Sequence, residues 1–516
     1  MPAAPLPGPE RPAAPAPGPE RVTPPGAEIA LGVRGAAAVQ APRSRRRALQ
    51  ILGGLLLLLA LLVVLLLAGL DVGPVALATG LVLAVVPVPV YVWLALRVDR
   101  FEPEPLPMLA WAFVWGASGA AFIALVVNTA GQAIIGDSFG SDVGELYGSS
   151  ISAPVVEESA KAAILFGIYR WRRAEFDGIL DGIVYAAMVG LGFAMTENVL
   201  YYGHAAAEGG VPLAATFFLR GVMAPFVHPV FTAMTGIGLG IAATSTRRGV
   251  RLAAPAAGLL AAIALHSLWN TAAGVSDGTA FFGVYGLVML PILGLLVVVV
   301  VLQLKREGQA VALWLSPEVA AGVLTAADVV TLSSLRERRR AARAARRAGG
   351  RALLRERRTF DAVATTLAFR RARGAKGLPL DVDDPAAADA AGVARLAELK
   401  AALPAPPVPR SLAAAPWPAA APGAGAAAGG AAGAARRARA GAVPRAAGVV
   451  PRSVARRGLA LVGRPPVDGL RGLIRPGSLT LVAGLPLLVG HAVHERAGVG
   501  VGEVDPAVRG GLPVPP

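Results

Sequence analysis

The 516-residue chain contains no cysteine. Disulfides, thiolate metal sites and cysteine nucleophiles are therefore all excluded. Histidine is nearly as scarce, with five in the whole sequence, so nitrogen ligands for a metal are few. No HExxH pattern is present, which removes the helical zinc site of the common soluble metalloproteases. Charged residues make up only 16% of the chain against 55% hydrophobic ones, too apolar and too long for one soluble core. A formal charge of +16 would suit nucleic acid, but the basic residues fall in short connections and after Val301, without interleaved aromatics. No nucleic-acid partner is expected. A lipid bilayer accounts for both the hydrophobicity and the placement of the arginines.

Apolar runs of roughly 20 residues, the length that crosses about 30 Å of hydrocarbon, occur at 49–70, 75–96, 108–135, 151–169, 178–202, 220–245, 252–273 and 281–304. Proline kinks are expected near Pro87, Pro225 and Pro229. The connections alternate in charge. Arg43, Arg45, Arg46 and Arg47 precede the first run, Arg97 and Arg100 follow the second, and Arg170, Arg172 and Arg173 follow the fourth. Arg247, Arg248 and Arg251 follow the sixth, and Lys305 and Arg306 the eighth, while the alternate connections have no Lys or Arg. By the positive-inside rule this predicts a multi-pass cell-membrane protein with both termini cytoplasmic.

The fold class expected is all-α: a polytopic transmembrane helical bundle of about eight spans, with a basic helical segment and a tail. Residues 1–42 are rich in Pro, Ala and Gly and are expected to be disordered; the first apolar run is long enough to span rather than serve as a cleavable signal. The transmembrane domain is placed at 43–306 and a basic cytoplasmic helical segment at 307–403. In that segment Ser316 and Pro317 are expected as N-cap and first helical residue. Residues 404–516 are low-complexity and expected to be disordered, so His491 and His494 are read as solvated.

An ionised side chain near the bilayer centre costs on the order of 2.5 to 3.5 kcal/mol, so each one inside a span asks for a reason. Here they gather in four consecutive spans: Glu157, Glu158 and Lys161, then Glu197 and Asn198, then His228, then His266 and Asn270. At 1.5 Å per residue and alternating directions, Glu157, Glu158, Glu197, His228 and His266 come out roughly 8 to 12 Å below one face. That agreement in depth points to a single site. Lys161 is i+4 from Glu157 and i+3 from Glu158, close enough to neutralise one carboxylate and leave the other to act on a water. His266 and Asn270 share a face and can address one substrate carbonyl.

Two chemistries fit this set. In one, His228, His266 and a carboxylate, with Glu197 the candidate, hold Zn²⁺ with an open position, and a second glutamate is the general base. In the other no metal takes part: Glu157 or Glu158 activates water and His plus Asn stabilise the oxyanion.

The same residues carry a resemblance. Asp99-Arg-Phe-Glu-Pro-Glu-Pro105, Glu157-Glu-Ser-Ala-Lys161, Asp181-Gly182, Phe193-Ala-Met-Thr-Glu-Asn198, His228-Pro229 and His266-Ser-Leu-Trp-Asn270 resemble the PrsW intramembrane proteases, within the superfamily of CAAX-prenyl and bacteriocin-processing proteases. The resemblance implies a bacterial membrane protease that cuts membrane-anchored proteins such as anti-sigma factors. Glu157 and Glu158 would be the catalytic pair, with Glu197, His228 and His266 completing the site.

Blander readings stand beside these. The Glu157, Glu158 and Lys161 set could be a structural ion pair or a proton path, Glu197 and Asn198 interhelical hydrogen bonds, and His228 a cap on carbonyls freed by Pro229. Asp177, Asp181 and the 102–105 turn are read as structural, and Arg220 as snorkelling to the interface. The rival functions are a proton- or ion-coupled transporter and a noncatalytic membrane scaffold that binds anionic lipid.

Overall fold

The computed structural model describes residues 43–98, 100–173, 175–274, 278–380 and 382–406. The predictions made for 1–42, Asp99, His491, His494 and the tail from 407 on lie outside the described residues. Among the described residues there are helices and no strands.

Eight long helices form the bundle: α1 (Arg43–Val72), α2 (Pro74–Ala95), α3 (Leu106–Phe139), α4 (Ala153–Trp171), α5 (Ile179–Glu208), α6 (Gly210–Ala243), α7 (Arg248–Gly274) and α8 (Thr279–Ala320). Seven are long and apolar enough to cross a membrane. The exception is α4, the predicted fourth span, whose 19 residues include the charged Glu157, Glu158, Lys161 and Arg170. Its first three charges are buried against α5, α6 and α7, so they meet protein rather than lipid. A short helix, Ser141–Tyr147, occupies the predicted 136–150 loop.

The bundle is built around α5. Buried residues make up 78% of its apolar window, against 6% for α8, whose leucines and valines face outward. Small residues let its neighbours come close, the usual means of packing helices in lipid. A Cβ on Gly182 would collide with the carbonyl of Gly236 on α6, and one on Gly190 would meet the backbone of His228 and Pro229 at 2.8–2.9 Å. The second contact fixes the height of His228.

Helix α6 is discontinuous. A wide π-helical turn, Phe218–Met223, ends at Ala224, and the chain restarts at Val227. Pro225 lies in the break, whereas Pro229 sits in the first turn of the new helix, where its missing N–H costs nothing. The expected kink at Pro87 is present as a turn between Pro74–Val85 and Val88–Ala95.

Beyond the apolar part of α8 the chain forms a basic helical module: α9 (Ala326–Leu332), α10 (Leu335–Ala375) and α11 (Pro385–Ala402). The expectation of a new helix starting at Ser316 and Pro317 is wrong. The helix runs unbroken through both to Ala320. Pro317 cannot donate to the carbonyl of Leu313, and the Ser316 hydroxyl donates to that carbonyl instead at 2.7 Å. The true helix starts are Thr325, boxed with Asp328, and Ser334 and Asp384, which accept from backbone N–H groups of the following turn.

Val311 and Leu315 of α8, Leu332 of α9, Phe360 and Leu367 of α10 and Leu396 of α11 make the module's core. Each such side chain stabilises by about 1.5 to 3 kcal/mol on burial. Phe101, from the turn between α2 and α3, enters the same core with the Arg338 guanidinium 4.6 Å over its ring. Burial pulls Arg338 down to about 10. Burial would raise the Asp328 carboxyl, but hydrogen bonds from Lys400 and Thr325 outweigh it and hold that group below its ordinary value.

Candidate active site

Four helices bring the polar residues to one cluster. From α4, Lys161 donates to Glu158 at 2.9 Å and to Glu157 at 3.3 Å, the i, i+3 and i, i+4 contacts that the spacing predicts. The same ammonium lies 3.3 Å from Nδ1 of His228 on α6 and 3.6 Å over the ring of Phe193 on α5. His228 Nε2 lies 2.7 Å from Glu197 on α5. From α7, His266 Nδ1 is 3.1 Å from Glu158, and its ring stacks on Phe231 with centroids 4.8 Å apart.

The two adjacent glutamates have different surroundings. Glu158 is fully enclosed, its oxygens shared among Lys161, His266 and the Thr232 hydroxyl, which donates at 3.1 Å. Glu157 retains 6% exposure and lines a cavity of about 490 Å³. His228, Glu197, Asn198, Arg220 and Asn270 also line that cavity, along with apolar and aromatic residues such as Trp269 and Phe281. His266 lies behind Glu157, 1% exposed. Asn270, which lines the cavity, donates one amide hydrogen to the Ser149 carbonyl at 3.0 Å, and its amide carries a second N–H.

Arg220 corrects the sequence reading. It does not snorkel. Its guanidinium pairs with Glu197, donates to Asn198 Oδ1 at 2.7 Å and lies 3.8 Å over the Tyr201 ring. The break in α6 makes this possible, since Arg220 precedes it and His228 follows it, and both turn toward Glu197. Thr232 was also missed, although at i+4 from His228 it shares that residue's face. Of the residues read as structural, Asp181 accepts from the N–H groups of Asp177 and Gly178, capping α5, and Asp177 pairs with Arg373 of the module.

Glu157, His228 and His266 each offer a ligand atom within 4.8 Å of the others. The sequence reading chose Glu197 as the carboxylate of such a set; the carboxylate grouped with both histidines is Glu157, while Glu197 is tied to Arg220 and His228. The donors suit a metal ion: one carboxylate, two imidazoles, and a second carboxylate, Glu158, orienting His266 from behind. His266 Nε2 and Glu157 Oε2 face each other across 3.8 Å, a gap that a cation or a water can bridge. Lys161 touches His228 on the Nδ1 side, so an ion held by that atom and the lysine contact are alternatives.

The model of the PrsW family intramembrane metalloproteases matches residues 104–300, the stretch that holds all of these groups. The chain is 30% identical to Protease PrsW of Oceanobacillus iheyensis over 165 residues, 30% of this chain and 68% of that protein. It is 33% identical to Protease PrsW of Bacillus subtilis over 143 residues, 28% of this chain and 59% of the relative. The Protease PrsW of Geobacillus kaustophilus is 30% identical over 153 residues, 29% of this chain and 60% of its own length. In these last two the match spans less than two thirds of the relative. No solved structure gives a significant match.

Proposed function

The chain belongs to the PrsW family of intramembrane metalloproteases, and we propose that it hydrolyses peptide bonds of membrane-anchored proteins at the cavity lined by Glu157, with anti-sigma-factor-type regulators as the substrate class. The observation that carries the assignment of roles is the unequal setting of the two glutamates. Glu157 reaches the cavity and is the general base, taking a proton from water and later returning it to the leaving amine. Glu158 is closed off and acts on position, holding His266 and Lys161. The second amide N–H of Asn270 is the donor for the developing oxyanion. Arg220 fixes Glu197, and Glu197 in turn orients His228. In the alternative chemistry a metal ion held by Glu157, His228 and His266 would supply Lewis-acid polarisation of the substrate carbonyl, and Glu157 would then be a ligand instead of the general base.

The reading is tested by co-expressing the protein with tagged single-span substrates and following their cleavage in the wild type and in Glu157→Gln, Glu158→Gln and His266→Ala. Loss of the product band in each is expected, and cleavage retained in all three would sink the proposal. Chelation followed by add-back of zinc, applied to purified protein, separates the two chemistries. Activity that falls and returns supports the metal; activity indifferent to chelator supports water activation by glutamate alone. Proton-coupled uptake into vesicles without any cleavage would favour a transporter instead.

A further inference from the structure

The far end of α4, about 18 Å along the helix from Glu157, borders a second and smaller recess. Five parts of the chain meet there. Tyr169 lies in the last turn of α4, Arg173 in the connection to α5, Ser245 follows α6 and Arg251 is in the first turn of α7, while Arg373 comes from the last turn of α10 in the basic module. The enclosed volume is about 30 Å³, roughly twice what one water needs, so it suits a single small polyatomic group seated at the mouth rather than a whole molecule.

The charges at this recess do not balance. Arg373 pairs with Asp177 at 2.8 Å and donates to the Pro379 carbonyl at 3.2 Å. Among the described residues no carboxylate pairs with Arg173 or Arg251. The lining thus holds three arginines and no carboxylate, with only Arg373 paired to Asp177 just outside it, and a guanidinium does not shed its proton to relieve the charge. The Ser245 oxygen accepts from the Arg247 N–H at 3.2 Å, which leaves its own proton to donate, and Tyr169 is a second hydroxyl-bearing residue of the lining. Forked donors around an arginine-lined, polyatomic-sized recess are the donor set that suits a tetrahedral phosphate.

We infer that this recess is a phosphate-binding site, its ligand the phosphate of an anionic phospholipid headgroup or the free anion. The lipid is the better source on position. The recess lies at the ends of α4, α6 and α7, where headgroups meet a bundle, and Trp171 beside it is 78% exposed, the placement of an aromatic anchor at a membrane interface. A phosphate seated there would join α10 of the module to three helices of the bundle, including the one that carries Glu157 and Glu158.

The test uses the full chain, purified in detergent and stripped of lipid. Separate arms receive phosphatidylglycerol, phosphatidylcholine or inorganic phosphate, and each is read by native mass spectrometry for retained ligand and by the thermal midpoint. Phosphatidylglycerol is expected to be retained and to raise the midpoint, phosphatidylcholine to do neither. The double variant Arg173→Gln with Arg251→Gln should bind phosphatidylglycerol about thirty-fold more weakly, as two interfacial cations contribute. Arg173→Lys with Arg251→Lys keeps the charge but loses the forks; it should fall between the two and guards against a folding artefact. An equal midpoint shift from inorganic phosphate would support the same site with the free anion as ligand. Equal retention of phosphatidylglycerol by the wild type and the Gln double variant, or binding of neither phosphate source by the wild type, would overturn the inference.

Discussion

Glu158 in the bundle and Asp328 in the basic module are both fully buried, and both are held by a lysine and a threonine, Lys161 and Thr232 in one case and Lys400 and Thr325 in the other. What separates them is the neighbour. Beside Glu158 stands Glu157, open to a cavity of about 490 Å³ and within reach of two histidines; Asp328 caps α9 and braces α11, and lines neither of the recesses described above. A buried acid whose oxygens are all taken is a strut wherever it occurs. Chemistry needs one carboxylate left partly unspent beside open space.

That contrast can be broken at three points. The largest effect is expected from Glu157→Gln: cleavage should fall by about 10² to 10⁴-fold, the usual worth of a general base, with the thermal midpoint little changed. A large drop in the midpoint would make Glu157 another strut. Next, Glu158→Gln removes one partner of a buried ion pair and should cost about 3 to 5 kcal/mol in the bundle, read as earlier unfolding along with lost activity. Unchanged unfolding would dissolve the distinction from Glu157. The smallest is Asp328→Asn, expected to cost about 2 kcal/mol in the module while cleavage stays within about twofold. Because the folded value of Asp328 is depressed, its contribution is complete above about pH 4 and is lost as pH falls through that lower value. A pH series of unfolding should show the wild type losing this increment in acid and the Asn variant having none to lose.

The helical bundle and the gathering of Glu157, Glu158, Lys161, Glu197, His228 and His266 were legible in the sequence, because charge inside an apolar run is conspicuous and its depth can be counted along a helix. The unequal settings of Glu157 and Glu158 were not. Adjacent helical residues point roughly 100° apart, and only the packing of α6 and α7 decides which direction is open. Arg220 was misread because long cations near a span's end commonly reach for the interface, and nothing in the sequence foretold that the break near Pro225 would turn it back toward Glu197. Ser316 and Pro317 made a persuasive local start signal. It was overridden because the apolar residues of α8 continue past it into the module's core at Val311 and Leu315 on the near side and Val319 beyond.

The unbroken run of α8 has a mechanical meaning. From Leu290 to Ala320 it measures about 46 Å, half again the thickness of the hydrocarbon, so one rod is shared by the membrane bundle and the module outside it. Gly308 on this rod lies against the Ser333 carbonyl, and Arg373 to Asp177 and Thr366 to Glu102 pin the module at two more places. The module is thus mounted on an axle and braced from the side, not hung on a tether, and a twist of α8 in the bilayer would turn both parts together.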